Sequence, residues 1–168
     1  FSYAEELPPQ VNKITPSLKA LGTDATLIEA VKQQNSKNIS LDDIKKRDAQ
    51  WRKVAGLDAE MKAMMASKAA QRLSEFEKSQ SYFFELFLMD NQGANIAMTN
   101  KTSDYWQGDE AKWQESFKGG QGAVHIGDVE FDESAQDYLV QISVPVMENG
   151  KAIGAITIGI NLDDLEGQ

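Results

Sequence analysis

The sequence predicts an α+β domain: a helical half followed by a five-stranded antiparallel sheet. Apolar residues recur at helical spacing through residues 1–81. From residue 82 the pattern changes to short apolar runs divided by turn residues such as "DNQG" and "ENGK". Charge changes with it: residues 1–81 carry 13 basic and 11 acidic side chains, residues 82–168 only 4 lysines against 15 carboxylates.

The elements follow in order. "TDATLIEAVKQQN" offers Thr23 or Asp24 as a helix cap and sets Leu27, Ile28 and Val31 on one face. "SLDDIKKRDAQWRKV" opens on Ser40 with Asp43 three residues on, keeps Leu41, Ile44, Trp51 and Val54 at helical spacing, and ends at Gly56. A third helix is predicted from Asp58 to Lys78, with Met61, Met64, Met65, Leu73 and Phe76 as its inner, core-facing stripe. "YFFELFLMD" and "ANIAMTN" flank "DNQG" and read as a hairpin. Strands are then predicted over 123–132, 137–147 and 152–162, the last two joined at "ENGK".

The segment between the second and third strands, 101–122, is too long for a simple hairpin. It holds "DYWQGDEAKW", with two of the three tryptophans of the chain. "GDEAKWQESF" suits two helical turns with Trp113 and Phe117 one turn apart. Two readings stand: the aromatics cap an open side of the core, or they form the lid of a ligand cup. Small-molecule pockets combine apolar walls with a few placed polar groups. The loop supplies Tyr105, Trp106, Gln107, Lys112 and Trp113, and the strands add Gln141 and Ser143 between apolar neighbours.

Composition excludes several chemistries. The chain has 168 residues, one domain's worth, and no apolar run long enough for a membrane span. It has no cysteine and one histidine, His125, so thiol nucleophiles, disulfides, histidine triads and multi-histidine metal sites are out. The acidic second half repels phosphate backbones, which argues against nucleic acid. Asp128, Glu130 and Asp132 alternate along one strand face and read as a solvated edge rather than a metal site, since a calcium loop pattern is missing. No residue pattern calls for a cofactor, metal or catalytic group. The chain begins at Phe1, which is expected where a signal peptide or membrane anchor precedes it.

Taken together, "LIEAVKQQN", "FFELFLMDNQGANIAMTNKTSDYWQGDEAKWQESF", "VHIGDVEFDES" and "QISVPVMENGKAIGAITIGINLDDL" resemble the single Cache, or PDC-type, sensor domains of bacterial chemoreceptors and sensor kinases. The closing "PVMENGKAIGAITIGINLDDL" is the most specific part. The resemblance covers nearly all of 1–168, with 1–81 as helical lead-in. It implies a PAS-like five-stranded sheet backed by a long N-terminal helix, a periplasmic or otherwise extracytoplasmic setting, and a small ligand held between the sheet and loop 101–122. It maps ligand-facing positions onto Tyr105, Trp106, Gln107, Lys112 and Trp113, with strand support from His125, Asp128, Gln141 and Ser143. The arginine–tryptophan–tyrosine pattern of amino-acid-binding members is not found. The ligand class therefore does not carry over from those members; a small organic acid such as pyruvate or acetate, or a small amine or amino acid, is expected. The expected partner is a membrane signalling protein, in cis or in trans, and a homodimer through the N-terminal helix is a further option. A protein-interaction module without a small ligand is the alternative.

Overall fold

The computed structural model describes residues 7–168. A helix not read from the sequence comes first: α1, Gln10–Leu21, follows two prolines and carries Pro16 within it. Burial of Val11, Leu18 and Leu21 offsets the backbone hydrogen bond that Pro16 cannot donate. Helix α2, Ala25–Ser36, is capped by Asp24, whose side chain accepts from the Leu27 N–H. Helix α3, Leu41–Lys53, is capped by Ser40 as the sequence suggested.

The predicted third helix is in fact two, α4 (Ala59–Ala66) and α5 (Lys68–Lys78). Ser67 ends one and caps the other in an extended conformation, its hydroxyl accepting from the Ala70 N–H. The break has a consequence for packing. Met61 and Met64 of α4 enter one core, whereas Ala69, Ala70 and Leu73 of α5 enter another.

Strands β1 (Phe83–Met89) and β2 (Asn95–Met98) form the expected hairpin, followed after the long loop by helix α6, Ala111–Phe117. The predicted third strand is divided into β3 (His125–Ile126) and β4 (Glu130–Asp132), both paired with β5 (Asp137–Glu148). Strand β6 (Lys151–Asn161) pairs with β5 through a turn in which Asn149 and Gly150 both have positive φ, as a two-residue hairpin demands. A short helix, α7 (Leu162–Glu166), closes the chain. The strand order is β2-β1-β6-β5-β3, antiparallel throughout.

Each sheet face has its own cover. Leu86, Leu88, Ile142, Val144, Ile156 and Ile158 pack beneath α1, α2, α5 and α7. Phe87, Met89 and Met98 alternate to the opposite side and join Ile44, Trp51, Met61 and Tyr105 in a second core. The helical half therefore does not lie on one face alone: α3 and α4 reach round to meet the long loop. Among the described residues, no helix is long and apolar enough to cross a membrane.

Candidate ligand-binding cleft

The long loop is fastened mainly through its backbone. Asp48 of α3, only 5% exposed, accepts from the N–H groups of both Tyr105 and Trp106 through one carboxylate oxygen, each at 3.0 Å. The Trp51 indole donates to the Thr102 carbonyl at 2.8 Å, and the Lys101 ammonium reaches the Val54 and Gly56 carbonyls at the end of α3. On the other side, the Tyr105 carbonyl accepts from Asn95 and the Gln107 N–H donates to Gly93. Loop residues thereby extend β2, covering its outer edge.

The aromatic residues that marked this loop are structural braces. Tyr105 is buried against Trp51, with ring centroids 5.6 Å apart. Burial, reinforced by the nearby Asp90 charge, pushes its phenol up to about 12. The Trp106 indole donates to the Gln92 carbonyl at 2.8 Å, and the Trp113 indole to the Asp90 carbonyl at 3.0 Å. Both therefore tie the loop to the β1–β2 turn. Trp113 also stacks on Phe117 at 4.9 Å, the expected one-turn pair. The Gln107 amide is buried and donates to the Asp104 carbonyl. Asp90 is itself buried, which raises its carboxyl above the usual range, while the Gln92 and Ala94 N–H groups it accepts from oppose that rise.

So fastened, the loop holds α6 over β5 and β6 on the face opposite α1 and α2. Between α6, the β3–β4 segment and the sheet lies an open cleft of about 430 Å³, within the range of small-molecule sites. Lys112, His125, Asp128 and Gln141 line it, four of the nine residues expected from the sequence. Tyr105, Trp106, Gln107 and Trp113 stand outside its walls, occupied as described above. Ser143 is also outside: fully buried beside His125 in the ladder, its hydroxyl pairs with that of Thr157 at 2.8 Å. The break after Ile126 lets Asp128 and Glu130 line the cleft, while Asp132 turns away to accept from Ser134. These three carboxylates do not form the regular strand face that their alternation suggested.

The sequence reading missed Phe84, Glu85, Glu110 and Glu130. A shift in pairing explains the first two. Phe83 faces Ile160 and Glu85 faces Gly159, so two residues of β1 advance against one of β6. Such a bulge re-aims side chains, and here both Phe84 and Glu85 reach the cleft. Gly159 makes the room: a Cβ there would lie 2.6 Å from Phe84 Cζ and 2.7 Å from Glu85 Cγ. The sequence signal was that single glycine inside "AITIGIN", since glycine in a strand often marks a bulge or close approach.

The cleft is acidic. Glu85, Glu110, Asp128 and Glu130 face one lysine, Lys112, whose ammonium is 3.0 Å from Glu110. Gln141 donates to Glu85 at 3.0 Å and orients that carboxylate. The lining can therefore bind positive charge at several points, with Phe84 and Leu139 supplying apolar wall.

No curated protein matches the chain. Among solved structures, it is similar to the ligand-binding domain of the Pseudomonas aeruginosa PAO1 amino acid chemoreceptor PctC in complex with GABA. Identity there is 12%, over 94% of this chain and 64% of that one, with a TM-score of 0.47. It is similar to the Campylobacter jejuni chemoreceptor Tlp3 ligand-binding domain in complex with 4-methylisoleucine at 14% identity, covering 95% and 63%, with a TM-score of 0.45. It is also similar to the sensor domain of the V. cholerae histidine kinase DctB at 12% identity, covering 83% and 56%, with a TM-score of 0.42. The chain thus spans less than two thirds of the length of these three. A family model described as "Methyl-accepting chemotaxis protein-like, first PDC sensor domain" matches residues 57–167, well over half of the chain, and the chain belongs to that family of PDC sensor domains.

Proposed function

We propose that this domain is an extracytoplasmic, periplasmic sensor that binds a small organic molecule in the cleft beneath α6 and passes its occupancy to a membrane signalling protein. The observation that carries this reading is the cleft itself: a cavity of about 430 Å³ where one helix, two strand segments and a bulge bring chemically distinct side chains together. Its charge favours an amine or amino acid over a free organic acid such as pyruvate or acetate. A ligand carboxylate has only Lys112 to meet, and Lys112 is already paired with Glu110. The interaction-module alternative draws no support from the loop, because Tyr105, Trp106 and Trp113 all spend their polar or apolar surface inside the domain. Occupancy would be transmitted by favouring one placement of α6 against the sheet, by no more than the ligand's difference in affinity for the two placements.

A thermal-shift panel of small carboxylates, amines and amino acids tests this. A ligand at about 100 times its dissociation constant adds roughly 2.7 kcal/mol of stability. The expected result is a raised midpoint that is lost in Glu85→Gln and enlarged in Lys112→Ala, which frees Glu110 for the ligand. A shift untouched by both substitutions would place the site elsewhere, and a flat panel on folded protein would favour the interaction module.

A further inference from the structure

We infer that the cleft takes an organic cation with two separated ammonium groups, of the linear diamine class, in preference to any ligand bearing a carboxylate. This rests on the cleft being the sensor site. The charge count comes first. Glu85 enters from β1, Glu110 from the start of α6, and Asp128 and Glu130 from the β3–β4 segment. With Lys112 held by Glu110, three carboxylates on two different elements have no lysine or arginine in the lining to oppose them.

Their spacing comes second. Among the described residues no three histidine or carboxylate side chains stand close enough together to hold a metal ion. The negative charges are thus distributed around the cleft rather than focused on a point. One metal ion or one ammonium would satisfy one part of the lining and leave the remainder repelling itself across a partly desolvated space. Two ammonium groups on one flexible chain would answer both the Glu85 side and the Asp128–Glu130 side.

The wall between supports such a chain. Leu139 offers apolar surface to methylenes, and the Phe84 ring, also in the lining, can meet an alkylammonium. Glu85 is also pre-set for binding. The bulge aims it, Gly159 leaves it space, and the Gln141 amide holds one of its oxygens while leaving the other for a donor. An amino acid would bring its carboxylate into this field, where no unpaired cation waits for it.

The test is isothermal titration calorimetry on the domain at physiological ionic strength. Four ligands of matched chain length serve as probes: 1,4-diaminobutane, butylamine, butanoate and 4-aminobutanoate. The diamine should bind at least about tenfold more tightly than butylamine, since it makes a second charge-assisted contact. Butanoate should give no heat. Glu85→Gln and Asp128→Asn should each weaken the diamine by roughly 10- to 100-fold, towards the level of butylamine. Glu29→Gln, on α2 away from the cleft, should leave it unchanged and so exclude general charge attraction. Equal affinities for butylamine and the diamine would overturn the inference. So would tighter binding of 4-aminobutanoate; if that binding still fell in Glu85→Gln, the cleft would stand as the sensor site and only the ligand class would fall. No heat from the diamine also refutes it, and sensitivity of any thermal-shift hit to Glu85→Gln then decides whether the cleft reading survives.

Discussion

Asp48 is the residue whose removal should most clearly loosen the loop that holds α6. Its Oδ1 accepts from two backbone N–H groups, those of Tyr105 and Trp106, each at 3.0 Å. Asp48→Ala leaves both donors without a partner. A buried donor so orphaned costs about 1–3 kcal/mol. The Tyr105 amide is buried and bears the full penalty, while that of Trp106 is half-buried and bears part. The Arg52 guanidinium also pairs with Asp48, but its side chain is 59% exposed, so its share stays below about 1 kcal/mol. The expected loss is about 2–4 kcal/mol, a fall of roughly 5–15 °C in thermal midpoint for a domain of this size. Asp48→Asn keeps an acceptor of the same shape and gives up only the ion pair, so it should cost less than about 1 kcal/mol. Urea denaturation of both variants separates the two contributions. If the asparagine variant were as unstable as the alanine one, charge rather than backbone hydrogen bonding would fasten the loop, and the argument would fail.

Three further outcomes follow from the same geometry. Trp113→Ala loses the Asp90 carbonyl bond and the Phe117 stack; it should cost about 2–3 kcal/mol, below the usual range for a fully buried aromatic. Calorimetry on the folded fraction should show cleft affinity nearly unchanged, since Trp113 does not line the cleft. Gly159→Ala would press a methyl group against Phe84 and Glu85. It should destabilise by about 1–3 kcal/mol and also weaken cleft binding, which midpoint and titration measurements would show together. Tyr105 makes stability fall in alkali: an unfolded tyrosine releases its proton near 10.0, whereas the folded one keeps it to about 12. The native state thus binds more protons across that window, and stability is lost as pH rises through it, on the order of 2 kcal/mol in all. Urea midpoints for Tyr105→Phe should lack this alkaline decline; an unchanged slope would show that the phenol is not its source.

Much of the fold was legible because its rules are local. Asp24 and Ser40 cap helices through their own side chains, the Asn149–Gly150 turn needs two positive φ angles, and alternation along β1, β5 and β6 assigns each residue to a face. The Trp113–Phe117 pair was readable for the same reason, being set by one helical turn. The order of these elements and the closing hairpin were enough to point to the PDC family. Local rules were silent where distant segments compete. Helix α1 carries Pro16 because its apolar face packs on the sheet, and α4 and α5 separate at Ser67 so that one stripe can serve two cores.

The cleft shows that division most sharply. Composition marked loop 101–122 as unusual and left its aromatics as either a core cap or a ligand lid. Tertiary contacts direct their indole N–H groups to the Asp90 and Gln92 carbonyls, because a buried donor must find an acceptor and the β1–β2 turn supplies them. Lys112, His125, Asp128 and Gln141 meet in one cavity only because β3, β5 and α6 are brought together there. Phe84 and Glu85 join them through a one-residue slip between β1 and β6, a relation between strands 75 residues apart by the Phe84–Gly159 numbering. The sequence by itself determined the residue types, most of the elements and the acidic character of this half of the chain. Which carboxylates share a space was decided by the pairing of strands that no local pattern encodes.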